Sequence, residues 1–259
     1  MFPTKIERTI KALSKYGLVI TRISAISEPP QIEIDHSCYP GIEAHLFTIA
    51  DTASWRPELT QSGDVILSAE LEISYKVDPW TRLFFASQTV MDGLKAYREG
   101  LKHGIISSSN WISDETKWYR ANWVERQYKA VPPEEFLHLV DESIRFHIWE
   151  LNELGFHTTQ SCSGLLRDHK DREPYLPYVM FDERSYPRAS AHLFTIADIA
   201  GWIPSYAPHQ FDIELRLHDA VHADRFWNKL VVTARKISSL LDDYRSSLAK
   251  LPYSLKGAM

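Results

Sequence analysis

The sequence predicts a mixed fold of helices and strands, an α/β chain of the α+β kind, built as a tandem duplication. The first observation behind this prediction is that residues 44–51, Ala-His-Leu-Phe-Thr-Ile-Ala-Asp, recur unchanged as residues 191–198. The second is that the same offset holds without a gap from Tyr39 and Tyr186 to Pro57 and Pro204. Chance repeats of this length are very improbable, so two copies of one unit are predicted.

The hydrophobic pattern of each copy predicts the element order helix, strand, strand, helix, strand, helix. In the first copy these elements are expected at residues 4–16, 18–23, 31–35, 44–55, 65–75 and 79–101. In the second copy they are expected at residues 134–151, 156–161, 177–182, 191–202, 211–217 and 224–248. Asp78 and Pro79 form a typical helix start, because aspartate caps free N–H groups and proline suits the first helical position.

The predicted organisation is a first repeat at residues 1–104, an aromatic connecting segment at 105–132 and a second repeat at 133–259, with the repeats related by a pseudo-twofold axis. Tryptophans and tyrosines alternate with basic residues in the connecting segment. Such a mixture suits stacking on nucleotides. An amphipathic connecting helix that packs across both copies is the preferred interpretation, since the segment is too aromatic for a loose linker.

Composition limits the class of protein. The net charge of −5 over 259 residues argues against coating nucleic acid through bulk charge. The two cysteines, Cys38 and Cys162, form no disulfide framework and fit a reducing compartment. No signal peptide and no membrane-spanning run is expected, so the predicted location is cytoplasmic. Nothing in the pattern indicates an oligomeric state.

The copies differ most between their first two strands. The distance from Gly17 to Tyr39 is nine residues shorter than that from Gly155 to Tyr186. The second copy therefore has a longer tip, residues 162–173, where the first has 24–28. A longer connection at the end of a rigid strand is a common place for function.

The residues of this longer tip suggest a ligand site. Cys162, Asp168 and His169 are candidate catalytic residues, because imidazole titrates near neutrality and a carboxylate beside it completes an acid–base pair. A Ser-Cys-Ser-Gly turn offers N–H groups and hydroxyls to an anion, and arginines grip phosphates. The candidate ligand-binding residues are Thr159, Ser161, Ser163, Gly164, Arg167 and Arg172. A solvated, charged hairpin tip is the equally weighted alternative.

Residues 158–164, Thr-Thr-Gln-Ser-Cys-Ser-Gly, follow a helix that ends Leu-Asn-Glu-Leu-Gly. This segment resembles the Thr-Thr-Ser-Ser-Cys-Ser-Gly-Arg segment of the wybutosine-synthesis methyltransferase family, over roughly 20 residues. The resemblance implies S-adenosylmethionine as cofactor, a guanosine in tRNA as substrate, and a site lined by residues 161–164. Leu165 stands where the family has arginine, and the duplication is not carried over from the family.

Other constellations favour structural roles. His45, Thr48 and Asp51 share one helix face and recur as His192, Thr195 and Asp198, which suits either two symmetric sites or, preferably, a polar seam between the copies. The spacing of His36, Cys38, Cys162 and His169 fits no zinc pattern, so no metal is expected. No dinucleotide loop, P-loop or nucleophile elbow is present.

Two functions thus stay open. One is a nucleotide- or RNA-modifying enzyme of the S-adenosylmethionine-dependent methyltransferase kind, with its site in the second-copy hairpin. The other is a non-catalytic protein that binds a small-molecule ligand, or supports assembly, on a duplicated fold.

Overall fold

The computed structural model describes residues 4–24, 29–39, 41–70, 77–103, 136–169, 175–186, 188–207 and 212–250. The chain divides into two compact units. The described residues up to His103 belong to the first unit together with Leu240–Lys250, and those from Phe136 to Ser239 form the second. The connecting segment predicted at 105–132 lies outside the described residues, as does Arg172.

The first unit has a four-stranded antiparallel sheet in the order β1-β2-β4-β3, so the class is α+β. Its strands are β1 (Ile20–Ser24), β2 (Gln31–Ile34), β3 (Trp55–Leu59) and β4 (Val65–Ala69). Its helices are α1 (Thr4–Lys15), α2 (Ile42–Ala53), α3 (Pro79–Gly93) and α4 (Lys95–Lys102). Apolar side chains of β2 and β4 alternate and fill one buried face of the sheet: Ile32, Ile34, Val65 and Leu67.

The second unit repeats this order with the sheet β5-β6-β8-β7. Its strands are β5 (Thr158–Cys162), β6 (Tyr178–Asp182), β7 (Ile203–Ala207) and β8 (Asp212–Arg216). Its helices are α5 (Arg145–Glu153), α6 (Ala189–Ala200) and α7 (Ala223–Lys250), whose last turns belong to the first unit. Both sheets also carry a register shift at the same place, after Ile20 in β1 and after Thr158 in β5.

Local signals in the sequence predict several elements correctly. The two octets lie in α2 and α6, which each have 12 residues. The Asp78 carboxylate caps α3 by accepting a hydrogen bond of 3.1 Å from the Thr81 N–H, as predicted. Gly17 follows α1 with a φ of +82°, a conformation that glycine adopts without strain.

The predicted unit of three strands is wrong, because each unit has a fourth. Strands β3 and β7 follow the octet helices at the segments that contain Pro57 and Pro204. Proline there predicts the end of a helix, but it also argues against a strand, since it cannot donate to a ladder. Both strands lie at the edge of their sheet, where that missing N–H is tolerated.

Two predicted helices are also interrupted. The apolar stripe at 79–101 forms α3 and α4 with a break at Leu94, next to the poor helix former Gly93. The segment predicted as one helix up to residue 151 instead has two 3₁₀ turns, Leu137–Leu139 and Glu142–Ile144, before α5. Asp141 between these turns has extended backbone (ψ 131°), so a continuous helix is impossible there.

The repeated polar residues of the octets are buried. His45, Thr48, His192 and Thr195 are fully inaccessible to solvent, and Asp51 and Asp198 nearly so. The Tyr39 and His45 rings lie 6.2 Å apart between centroids, and the Tyr186 and His192 rings stack at 5.6 Å. Equal burial and a tyrosine neighbour in each case indicate that the two histidines occupy corresponding core positions in their units.

Candidate functional site

The candidate site lies where β5 ends. Cys162 is the last residue of this edge strand, and its side chain is 4% exposed. Gly164 then turns the chain with a φ of +69°, and a Cβ atom there would lie 2.4 Å from Cγ of Pro177. Only glycine fits both the backbone conformation and this close approach. The turn therefore packs tightly against the start of β6.

Three reactive groups converge at this turn. The Sγ atom of Cys162 lies 3.4 Å from Nε2 of His169, and the same Nε2 lies 3.4 Å from Oδ2 of Asp141. His169 follows a 3₁₀ turn, Leu166–Asp168, which folds the chain back towards Cys162. Both Cys162 and His169 are buried. The structure thus brings together two of the predicted catalytic residues, Cys162 and His169, with a carboxylate that the sequence did not indicate.

Asp141 reaches the site because the chain before α5 is not helical. Its carboxylate Oδ2 accepts a hydrogen bond of 2.7 Å from the backbone N–H of Ser163. That contact joins the segment before α5 to the end of β5, 22 residues further along the chain. The hydrogen bond fixes the carboxylate against the turn and satisfies one buried N–H group.

Asp168, the third predicted catalytic residue, has different partners. Its Oδ2 atom accepts a hydrogen bond from the hydroxyl of Ser143. Burial raises the pKa of Asp168, but hydrogen bonds from the hydroxyls of Ser143 and Ser163 outweigh that effect and hold the pKa below its usual value. Asp168 is therefore a structural carboxylate that ties the 3₁₀ turn to the segment before α5.

Only some of the predicted ligand-binding residues lie at the turn. Ser163 and Gly164 are buried at the turn, and the Ser163 carbonyl accepts a hydrogen bond from the Trp227 indole (3.4 Å). Thr159 donates to Asp212 (3.3 Å), and Ser161 is half-buried in β5. Arg167 points its guanidinium at Asp224 instead (2.9 Å), and its side chain is 59% exposed.

A tyrosine and an arginine that the sequence analysis missed lie beside Cys162. Tyr178 pairs directly with Cys162 across β5 and β6, and Arg216 pairs directly with Tyr178 across β6 and β8. Directly opposed residues project from the same face of a sheet. The Arg216 guanidinium carbon lies 5.3 Å from the centre of the Tyr178 ring. The alternation of β6 and β8 was the available signal, since it places both residues opposite the core face.

These two residues form a polar surface. Burial raises the pKa of the Tyr178 phenol, and its acidic neighbours Cys162 and Glu214 raise it further. Arg216 donates through Nε to Glu214 and keeps 41% of its side chain exposed. A row of thiol, phenol and guanidinium thus crosses three strands at one end of the sheet.

The first unit has none of these groups at the matching positions. There the cross-strand row is Ser24, Gln31 and Ser68. The Cys38 thiol donates to the carbonyl of Asp35 (2.9 Å) and accepts from the N–H of Val19 (3.1 Å). The reactive row is therefore a property of the second unit.

His36 in the first unit belongs to a local turn. Its ring Nδ1 atom lies 3.1 Å from Oδ1 of Asp64, and its backbone N–H donates to the same oxygen (3.2 Å). Asp35 accepts from the backbone and hydroxyl of Ser37, both at 2.7 Å. The Asp35 contacts hold the turn through its own side chains, whereas the His36 contacts join this turn to Asp64 in the connection between β3 and β4.

Comparison of the chain with protein-family models, curated proteins and solved structures gives no match, so the chemistry of the site rests on its own residues. Among the helices that the structure describes, none has the length and apolar character that crossing a bilayer requires.

Proposed function

We propose that the second unit carries an enzymatic site for a nucleotide, free or within RNA, at the connection between β5 and β6. The observation that supports this most is the convergence of Cys162, His169 and Asp141 beside the Tyr178–Arg216 pair. The first unit keeps the same strands but has serine and glutamine at the matching row. A shared fold with divergent side chains at one strand end is expected where only one unit acquired a site.

In this proposal each residue has a separate role that follows from the chemistry of its side chain. Arg216 supplies a half-exposed guanidinium, which binds phosphate oxygens through paired hydrogen bonds. Tyr178 supplies an aromatic ring of the kind that nucleobases stack on. His169, with its Nε2 atom 3.4 Å from the Cys162 thiol, is placed to accept or return a proton.

The reaction we propose is methyl transfer from S-adenosylmethionine to a nucleotide in tRNA. The support for this step is the resemblance of residues 158–164 to the wybutosine-synthesis family. In this proposal the turn at Ser163 and Gly164 contacts the cofactor or the substrate through its backbone. A cytoplasmic protein acting on tRNA fits the cysteine usage noted above.

A second candidate is a non-catalytic binding or assembly protein on a duplicated fold. The two units share their strand order, and each has a matching tryptophan pair in T-shaped contact: Trp55 with Trp80 at 5.2 Å and Trp202 with Trp227 at 4.9 Å. We infer a tandem duplication from this correspondence together with the repeated octet. In this candidate the second-unit connection binds its ligand without transforming it.

Thermal denaturation with S-adenosylmethionine, guanosine monophosphate and bulk tRNA tests the proposal. A ligand at 100 times its dissociation constant stabilises the folded protein by ~2.7 kcal/mol. We expect guanosine monophosphate and tRNA to raise the Tm of the parent protein, and Arg216→Ala to lose most of that rise. Arg56→Ala is the matched control, because Arg56 also pairs with a glutamate two residues away on a strand.

Transfer of a labelled methyl group from S-adenosylmethionine to tRNA separates the two candidates. Labelled tRNA supports the enzyme, whereas a Tm shift without label supports the binding protein. The nucleotide site itself is contradicted if no probe stabilises the parent, or if Arg216→Ala and Arg56→Ala respond alike.

A further inference from the structure

We propose that Asp141, Cys162 and His169 bind a zinc-class divalent cation at the end of β5. This goes beyond the nucleotide-binding function and does not depend on it. While the cation is bound, Nε2 of His169 is a ligand, so the proton-transfer role given to it above belongs to the cation-free protein. The three residues supply one carboxylate, one thiol and one imidazole, which are all ligands that Zn²⁺ accepts. Their ligand atoms lie within 4.8 Å of one another, and two of the three residues are buried.

The distances between these atoms match the edges of a tetrahedral zinc site. Zinc bonds of about 2.3 Å to sulfur and about 2.0–2.2 Å to nitrogen and oxygen place neighbouring ligands roughly 3.3–3.6 Å apart. The Sγ–Nε2 and Nε2–Oδ2 distances are both 3.4 Å. The third edge, Sγ–Oδ2, is no longer than 4.8 Å.

Hydrogen bonding alone accounts poorly for this arrangement. Nε2 of His169 has either one hydrogen or one lone pair, yet two polar atoms approach it at the same distance. A neutral imidazole can therefore form a good hydrogen bond with only one of these two atoms. A cation between the three groups receives a lone pair from each and removes the conflict.

The surroundings provide the support that metal ligands need. The N–H of Ser163 donates to Asp141 Oδ2 and orients the carboxylate, as outer hydrogen bonds do in metal sites. Gly164 holds the turn, where a side chain would collide with Pro177. Three protein ligands leave the fourth tetrahedral position for water or a substrate atom, which is the arrangement of catalytic zinc.

Cys162 and His169 lie seven residues apart in one connection, whereas Asp141 comes from the segment before α5, so the ligands do not follow the zinc patterns with close spacing. A second group of similar residue types, Asp35, His36 and Asp64, lies in the first unit. It contains no thiolate; its Asp35 carboxylate already accepts from Ser37, and its Asp64 carboxylate accepts from His36 and Ser62. The sulfur ligand therefore gives a spectroscopic means of telling the two groups apart.

Cobalt titration of the chelator-treated full-length protein tests the proposal. Tetrahedral Co²⁺ bound to a thiolate gives a near-ultraviolet charge-transfer band and strong visible bands. The chain has two cysteines, so one band has two candidate sources. We expect one equivalent of Co²⁺ to produce both features, Zn²⁺ to displace it, and Cys162→Ser to abolish the charge-transfer band. Cys38→Ser and His36→Ala are the matched controls and should retain it.

Asp141→Asn is a variant with less risk to folding, because its amide oxygen can still accept from Ser163. It should weaken Co²⁺ binding by about tenfold or more while keeping the charge-transfer band at saturation. Circular dichroism of each variant confirms that it folds. The proposal is overturned if the parent shows no thiolate band, or if Cys38→Ser removes the band and Cys162→Ser keeps it. These outcomes need no nucleotide, so they leave the proposed function to its own test.

Discussion

Replacing Trp227 by alanine is expected to lower the free energy of unfolding by about 3–5 kcal/mol. The side chain is fully buried, and its ring meets Trp202 in a T-shaped contact at 4.9 Å. Its indole N–H also donates to the carbonyl of Ser163, at 3.4 Å. Truncation therefore opens a large cavity under the turn and leaves a buried carbonyl without its partner.

Urea denaturation of the parent and the variant measures this loss. Trp149→Ala is the control of the same chemical change in the same unit, because Trp149 is 40% exposed. It should cost about 1 kcal/mol or less. Equal losses at Trp227 and Trp149 would contradict the position of Trp227 in the core.

Leu94→Ala is expected to cost about 2–5 kcal/mol, the usual range for a buried leucine. Leu94 lies at the break between α3 and α4 and is completely inaccessible to solvent. Its burial holds the break in place, so its removal loses apolar contacts and leaves a cavity that a fixed helix junction cannot easily fill.

The control for Leu94 is Leu166→Ala, since the Leu166 side chain is 75% exposed. That variant should change the free energy of unfolding by no more than about 0.5 kcal/mol. A loss below about half a kcal/mol for Leu94→Ala in urea melts would show that the apolar stripe does not face a core.

Local patterns in the sequence predicted the parts of the fold that local physics determines. Three features depend on neighbours within a few residues: the cap at Asp78, the octet helices, and the second strand of each unit, predicted at 31–35 and 177–182. Strands β3 and β7 were not predicted, because a proline such as Pro57 or Pro204 indicates the end of a helix and also argues against a strand. Whether a proline segment joins a sheet edge is decided by strands further along the chain.

The sequence likewise predicted only those residues of the site that lie close together in the chain. Cys162 and His169 were found because they share the connection that lengthens the second unit. Asp141 gave no signal, since its contact with Ser163 joins segments 22 residues apart and the apolar spacing around it indicated a helix. The predicted helix is interrupted at Asp141, and this interruption lets the carboxylate reach Cys162 and His169.

Tyr178 and Arg216 were not predicted, because both lie on strands outside the connection between β5 and β6. Their positions follow from alternation only once the pairing of β5, β6 and β8 is known. Arg167 was placed in the site because of its position in the connection, yet its guanidinium pairs with Asp224. Sequence position identified the region correctly but not the direction of each side chain.

Exchange of the connection tests most directly the claim that the second unit alone carries the site. The variant replaces residues 162–173 with residues 24–28, the tip that the first unit uses between its matching strands. A shorter connection adds little loop-closure cost, but the exchange removes the contacts of Ser163 with Asp141 and Trp227. Binding is therefore compared only once the variant gives a far-ultraviolet circular dichroism spectrum like that of the parent. The measurement is its Tm with and without guanosine monophosphate and tRNA. We predict that the Tm shifts fall well below those of the parent, because the exchange removes the turn at Ser163 and Gly164 together with Cys162 and His169, while Tyr178 and Arg216 remain. A folded variant whose Tm rises as much as that of the parent would contradict the claim.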